Sequence, residues 1–425
     1  MEFRPDVISW NLTKRCHLNC AHCYLDADFR TGARADELTT RECRDIIDQI
    51  AEVNPSALLI LTGGEPLLRP DVFDIARHAS DRGFLVVLAT TGTLLTPEVT
   101  RRMAAAGIRG ASISLHSLRP GAHDGFTRVP GSWQGAVQGA RFLHEANLPF
   151  IVQTSAMSWN ADEVPVLIDL AARLGARVFD LYLLVCTGRG QGMTDISPPQ
   201  QEALLARLLE IQKAREGQIS IGARCAPQYK RILHQADPQS PHLRAYADGC
   251  PAATHYCRIT PTGDLTPCPY LPLTAGNLKV RPFAHLWQEA PLLTQLRDRS
   301  QLQGRCGRCE FRMICSGCRA RAYAECQDYL AEDSACPYEP GEHGGEPIVL
   351  EQAFTFGLAA NRTLPWTTAA QARLESVPTF ARGMVIKGVE RYARERGYTA
   401  ITPEVLTEAR EKLVGAFAFT SSPHR

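Results

Sequence analysis

The sequence has almost no net charge: 46 Lys and Arg stand against 45 Asp and Glu over 425 residues, leaving a formal balance of +1. A chain without a basic field has no long-range pull toward nucleic acid or anionic lipid, so neither is expected as a partner. It also lacks an apolar run long enough to cross a bilayer, and no membrane span is expected. The N-terminus, MEFRPDVISW, enters a strand-like run at once, without the basic, apolar and small-residue order of a secretory signal. A cytoplasmic location is the expectation. Internal repeats and low-complexity tracts are absent, which sets aside repeat arrays and disordered segments. Apolar residues at 44% and charged residues at 21% are ordinary for a globular chain. The length exceeds what one core usually uses, so two or three domains are expected.

Cysteine is the outlier. There are 15, with three between 16 and 23, three between 250 and 268, and six between 306 and 336. A disulfide scaffold belongs to small secreted proteins and pairs its cysteines evenly. A large chain with an odd count and no export signal fits that poorly. Clustered thiols in a reducing compartment point to metal.

Residues 1–200 alternate strand and helix patterns. Apolar runs at 7–12, 57–61, 84–89, 111–115, 149–153 and 178–184 read as strands. Helical spacing at 37–50, 71–82, 97–106, 133–146 and 164–174 separates them. About six such units favour an α/β fold with a parallel sheet closed or partly closed into a barrel, a partial (β/α)6 TIM-type barrel. In such sheets the active site lies at the C-terminal ends of the strands, and the chemical motifs follow strands here. Residues 201–249 read as a helical connection, 250–340 as a cysteine-rich region full of turns, and 341–360 as a Pro- and Gly-rich linker. Residues 361–425 carry a small helical pattern, with Pro378 and Gly397 as breakers.

The first motif is Cys16-x3-Cys20-x2-Cys23 in the loop after the first strand. Three thiolates this close can hold three corners of a cubane cluster and leave one iron open. A zinc knuckle is the alternative, but zinc sites pair two short Cys-x2-Cys units, and no second unit lies nearby. The second motif, Gly63-Gly64-Glu65-Pro66, follows the second strand; alone it is only a turn. Together and in this strand order, the two motifs resemble the radical S-adenosylmethionine (SAM) superfamily over about residues 5–200. The resemblance implies that Cys16, Cys20 and Cys23 hold a [4Fe–4S] cluster and that SAM chelates the open iron. It further implies that the GGEP loop supports the methionine amino group, and that Ser112, Ser114, Gln153 and Thr154 contact SAM. The cofactor would then carry the radical chemistry that side chains cannot perform.

The third constellation is Cys250-x6-Cys257-x10-Cys268, followed by Cys306-x2-Cys309-x5-Cys315-x2-Cys318-x17-Cys336, with Gly263 placed for a tight turn. Two Cys-x2-Cys pairs are also a zinc signature. The pattern resembles the SPASM extension, which binds one or two auxiliary [4Fe–4S] clusters. That resemblance implies Cys250, Cys257, Cys268 and Cys318 for one cluster, and Cys306, Cys309, Cys315 and Cys336 for the other. The family usually leaves three residues in the final short gap; here it is Ser316 and Gly317 alone. Cys43, Cys186 and Cys326 read as buried small apolar side chains. Cys225 reads the same way, or as a spare ligand just before the cysteine-rich region.

The stretches WNLTKRCHLNCAHCY, LTGGEPLLRPDVFDIAR, LLVCTGRG, CAPQYKRIL and CGRCEFRMICSGCRARAYAECQDYLAE are similar to the haem-biosynthesis branch over about 5–340. The TGRG and CGRCE…CSGCRARAY stretches resemble those of the haem b synthases of the sirohaem-dependent pathway. Residues 366–413 resemble the small C-terminal domain of protochlorophyllide-reductase-type proteins. The resemblance implies oxidative decarboxylation of two propionates of iron-coproporphyrin III to vinyls, through a 5′-deoxyadenosyl radical. An auxiliary cluster would take the departing electron, and a flavodoxin or ferredoxin would be the low-potential donor. Propionates need cations, and Arg189 and Arg128 are candidates; His255 and Tyr256 are candidates to face the haem iron. Alternatives are action on a sirohaem derivative toward iron-coproporphyrin III or haem d1, a peptide-modifying SPASM maturase, or a non-catalytic electron carrier. Fifteen residues before Cys16 are too few for the peptide-binding winged helix expected of a maturase. A carrier would have no need of GGEP beside an open iron.

Overall fold

Short β-branched and Leu-rich runs separated by capped amphipathic segments bury themselves best as parallel strands with helices packed outside. The computed structural model, which describes residues 3–29, 32, 35–193, 196–244, 249–341, 345–350, 362–375 and 379–413, has this arrangement. The chain divides into two units, Met1–Ile232 with Asp248–Val349, and Leu233–Ala247 with Leu350–Arg425.

In the larger unit, β1 (Val7–Thr13), β2 (Leu58–Gly63), β3 (Leu85–Thr90), β4 (Ile108–Ser114), β5 (Phe150–Ala156) and β6 (Val178–Leu183) lie side by side in chain order. All are parallel. Between them run α1 (Thr40–Val53), α2 (Val72–Asp81), α3 (Pro97–Ala105), α4 (Pro120–Thr127), α5 (Ser132–Glu145) and α6 (Val164–Arg173). Local chemistry sets these helices. In α1, Thr39 and Glu42 form a reciprocal capping box, and Cys43, Ile46, Ile47 and Ile50 form one buried stripe. β1 is buried throughout, with Ile8, Trp10 and Leu12 on one face and Ser9, Asn11 and Thr13 on the other.

The sheet extends past the six expected strands. After α7 (Pro198–Ala214), β7 (Ser220–Arg224) adds in parallel to β6, inside the stretch expected to be helical. Its five residues are too short to show a period against the polar helical sequence around them. On the other side, β8 (Tyr256–Ile259) joins β1 in parallel, followed by antiparallel β9 (Asp264–Thr266) and β10 (Gly276–Asn277). Gly263 makes the turn between β8 and β9 at φ +91°. Among the described residues, no helix is long and apolar enough to cross a membrane.

The smaller unit contains helices Thr368–Glu375, Thr379–Glu395 and Pro403–Leu413 around Trp366, Ala370, Leu374, Val389, Ala393, Ile401 and Ala409. Gly397 turns the chain at φ +76°. Pro378 and much of the expected linker, 342–344 and 351–360, lie outside the described residues. Cys43 is buried as expected, Cys186 half-buried, and Cys326 exposed. Cys326 ends a helix whose first turn, not its last, is buried.

Candidate active site and cluster sites

The loop leaving β1 is folded back on itself by a two-residue parallel bridge, Arg15–Cys16 against Asp28–Phe29. It docks on the end of α4, where Asn19 N–H donates to Thr127 and Ala21 N–H to Phe126. This brings Cys16, Cys20 and Cys23 to the wall of one cleft. Backbone N–H groups of Leu18 and Ala27 point at the Cys16 and Cys23 sulfurs, at 3.4 and 3.5 Å. Such donors suit thiolates that carry charge on a cluster. Without iron, burial pushes the Cys16 and Cys20 thiols up to about 12, so loading must displace their protons. Among the described residues, no three His, Cys, Asp or Glu side chains converge tightly enough for a single ion.

The GGEP loop is placed by contact. A Cβ on Gly63 would lie 2.4 Å from the Thr13 carbonyl oxygen, and one on Gly64 2.2 Å from that of Arg15. Only glycine lets this loop pair with the exit of β1, through Gly64 N–H to Thr13 and Glu65 N–H to Arg15, both 2.8 Å. Gly63 and Gly64 line the cleft. Glu65 does not: it is fully buried and accepts from Thr90 Oγ1, Thr91 N–H and Thr91 Oγ1, each at 2.9 Å, and from Leu67 N–H. Glu65 and Pro66, the start of a buried turn, therefore hold the glycines rather than face a ligand.

Strand parity decides the remaining SAM candidates. Ser112, Ser114 and Gln153 line the cleft. Thr154 points to the other face, fully buried and donating to the Leu115 carbonyl at 2.6 Å. Ser155, two positions from Gln153, lines the cleft in its place.

Arg189 reaches the cleft already engaged. Its Nε donates to the Cys20 carbonyl at 3.1 Å and its Nη1 to the Ala27 carbonyl at 2.8 Å, with Asp26 at 3.3 Å. Gly188 sits at φ +58°, where a Cβ would lie 2.5 Å from the carbonyl oxygens of Cys23 and Tyr24. The TGRG stretch is thus a buttress for the cluster loop. Arg128 is exposed in a left-handed cap after α4 and is not part of the cleft wall. His255 pairs with Asp6 at 3.0 Å, before the start of both β1 and β8. The cluster loop emerges from the opposite end of β1, so His255 cannot face a ligand in the cleft. Tyr256 points inward, hydrogen-bonded to Ser9 and near Tyr24, Tyr182 and Cys268.

Sequence reading missed the aromatic wall. His22 stacks on Phe126 at 4.4 Å and meets His116 edge-on at 4.8 Å; His123 stacks near His116. All three imidazoles line the cleft and are held neutral by burial, His22 and His123 at about 4. Tyr24, Tyr182 and Tyr270 complete the wall. Single histidines and tyrosines tens of residues apart carry no local signal.

The later cysteines form separate groups. Cys306, Cys309, Cys315 and Cys336 line one cavity. Asp333 N–H and Arg319 Nη2 point at the Cys306 sulfur, at 3.4 and 3.6 Å. Both amide atoms of Gln228 are buried there without a partner, a donor available to a sulfide. The residues fit a cluster. Cys318 faces elsewhere because Ser316 and Gly317 are both left-handed, at φ +60° and +64°. This tight reversal serves where three residues were expected. Cys250 and Cys318 are neighbours of Cys268, whereas the charged neighbour of Cys257 is Arg297.

The fold and both kinds of cysteine site define a radical SAM enzyme with a SPASM iron–sulfur domain, built for SAM and [4Fe–4S] clusters. Three family descriptions match: Radical SAM superfamily over 10–171, Iron-sulfur cluster-binding domain over 250–310, and Proto-chlorophyllide reductase 57 kD subunit over 366–410. Among solved structures, SuiB of Streptococcus suis bound to S-adenosylmethionine superposes with a TM-score of 0.63 at 16% identity, covering 79% of this chain and 78% of its own. This likeness concerns the fold. The AdoMet-dependent heme synthase of Methanosarcina barkeri is 40% identical over 346 residues, covering 80% of this chain and 98% of that protein. That of Nitratidesulfovibrio vulgaris is 34% identical, covering 79% and 92%. The chain belongs to this family of radical SAM enzymes.

Proposed function

We propose that the protein makes haem b by oxidative decarboxylation of two propionates of iron-coproporphyrin III. The observation that carries this is the shared wall of one cleft, lined by the cysteine triplet, the GGEP glycines and Tyr270, which lies beside Cys225 and Cys268. A radical source and an electron sink thus serve the same space.

Cys16, Cys20 and Cys23 would hold the cluster whose open iron takes SAM, and that pair would supply the radical chemistry needed to remove hydrogen from the propionate carbon next to the ring. Loss of CO2 and one electron would leave the vinyl group, with an auxiliary cluster held by the later cysteines as the electron acceptor. The chain's part is positioning and exclusion of water. The neutral imidazoles and tyrosines give an apolar wall with uncharged polar tips, suited to a flat ring system. Arg189 spends its Nε and Nη1 donors on the cluster loop, which leaves Nη2 for a propionate. A low-potential donor such as a flavodoxin or ferredoxin would feed the first cluster, in the cytoplasm.

Anaerobic protein given dithionite, SAM and iron-coproporphyrin III should yield 5′-deoxyadenosine and haem b together. 5′-Deoxyadenosine without porphyrin turnover would reject this substrate and keep the superfamily chemistry.

A further inference from the structure

We propose that Cys225, not Cys257, supplies the fourth thiolate of the auxiliary cluster held by Cys250, Cys268 and Cys318.

Strand parity excludes Cys257. It lies between Tyr256 and Arg258 on β8, in register with Ile8 of β1. Tyr256 reaches Ser9 and the neighbourhood of Cys268. Arg258 donates to the Pro269 carbonyl at 3.1 Å. Both thus face the turn that carries Cys268. Neighbouring side chains on a strand point to opposite faces, so Cys257 points away from that turn. There it is fully buried beside Arg297, whose guanidinium lies 4.6 Å from the Trp287 ring centre. No rotamer of a side chain this short crosses the sheet.

Cys225 stands where the cluster needs it. It directly follows β7, at the C-terminal edge of the sheet from which the first cluster loop also emerges. Its backbone is left-handed at φ +53°, an unfavourable conformation for a side-chain-bearing residue, held by its surroundings. Its carbonyl accepts from Arg321 Nη2 at 2.8 Å. Arg321 Nη1 pairs with Asp333 at 3.0 Å, and Asp333 accepts the Cys318 N–H at 2.7 Å. Three bonds therefore tie Cys225 to Cys318. The Cys225 thiol has Cys318, Cys268 and Cys250 as neighbours; Cys257 has none of them. The buried Arg321 cation also offsets the negative charge that four thiolates bring to a cluster.

With four protein thiolates, this cluster has no open iron. Tyr270 lines the cleft and lies beside Cys225. The cluster can exchange electrons through that wall but has no corner free to bind substrate.

The test uses full-length protein reconstituted anaerobically, comparing Cys225→Ala, Cys225→Ser and Cys257→Ala by iron and sulfide content and by electron paramagnetic resonance. Cys257→Ala should keep the parent's iron, sulfide and spectrum. Cys225→Ala should lose up to about four irons per chain, or show a three-iron signal, with the other clusters' signals intact. Intact remaining signals separate ligand loss from misfolding. Cys225→Ser, the smaller change, should keep the fold and shift the spectrum of one cluster, because oxygen replaces sulfur on an iron. A parent-like iron content and spectrum in both Cys225 variants would overturn the assignment. So would loss of one cluster in Cys257→Ala alone.

Discussion

The Arg189 guanidinium donates to the Cys20 carbonyl at 3.1 Å, joining the TGRG turn to the middle of the cluster loop. A second bond to Ala27 and the close pass of Gly188 make the turn a clamp on that loop. Lysine cannot copy these divergent bonds. Arg189→Lys should weaken the loop by about 1.5–3 kcal/mol, the worth of the one charge-assisted bond that lysine cannot keep. The expected result is less iron at the triplet and a lower yield of 5′-deoxyadenosine, with KM for the porphyrin unchanged. A raised KM with full iron would instead place Arg189 on a propionate.

Glu65 is the keystone of the GGEP loop, with donors from Thr90, Thr91 and Leu67 on its buried carboxylate. Glu65→Gln keeps the shape but turns an N–H2 group toward other donors. An unsatisfied buried pair costs about 1–3 kcal/mol. SAM binding should weaken by roughly tenfold or more, read by equilibrium binding to reconstituted protein, while the iron content stays near that of the parent. Unchanged SAM affinity would remove Glu65 from this supporting role.

Acid should weaken the larger unit through its histidines. His123 is pushed down to about 4 by burial, and burial with its His22 and His123 neighbours holds His116 well below the ordinary value of 6.5. Each ring accepts a backbone N–H at Nδ1, from Ser155 to His116 and from His116 to His123, which a protonated ring cannot do. Between 6.5 and 4 the unfolded chain binds these protons and the folded chain does not. Their contribution is therefore complete above 6.5 and lost as pH falls, by at most about 1.4 kcal/mol per pH unit for each ring. Urea unfolding between pH 7 and pH 5, about the span of the His shift, should show this slope, and His123→Gln should reduce it. An equal slope in that variant would assign the acid sensitivity to other groups.

In the smaller unit, Glu390 is nearly fully buried and accepts from Thr363 N–H at 3.0 Å, Trp366 Nε1 at 3.0 Å and Leu364 N–H at 3.3 Å. Burial alone would raise its pKa; these bonds hold it below the usual carboxylate range. A lowered carboxyl stabilises above the unfolded value and loses that contribution as pH falls through the folded one. Glu390→Gln should lower the stability of this unit by about 1–3 kcal/mol near neutral pH, seen by calorimetry of the full chain. An unshifted transition would make the network dispensable.

The sequence by itself determined whatever is local. The spacing of Cys16, Cys20 and Cys23, the Gly63-Gly64 pair and the order of six apolar runs are contiguous patterns, and they sufficed for the fold and the SAM chemistry. The helical spacing at 37–50 was readable for the same reason, although the helix itself runs Thr40–Val53. Only the tertiary structure decided which side chains share a space. Gln153 faces the cleft and Thr154 does not, though both sit on one strand. Arg189 grips a loop 169 positions away, and three separate histidines form one wall. Cys257 lies beside its expected partners in sequence yet across the sheet from them, while the more distant Cys225 stands among them. Strand faces alternate at every residue, so the partners of a side chain depend on how distant strands pair, and no local spacing records that.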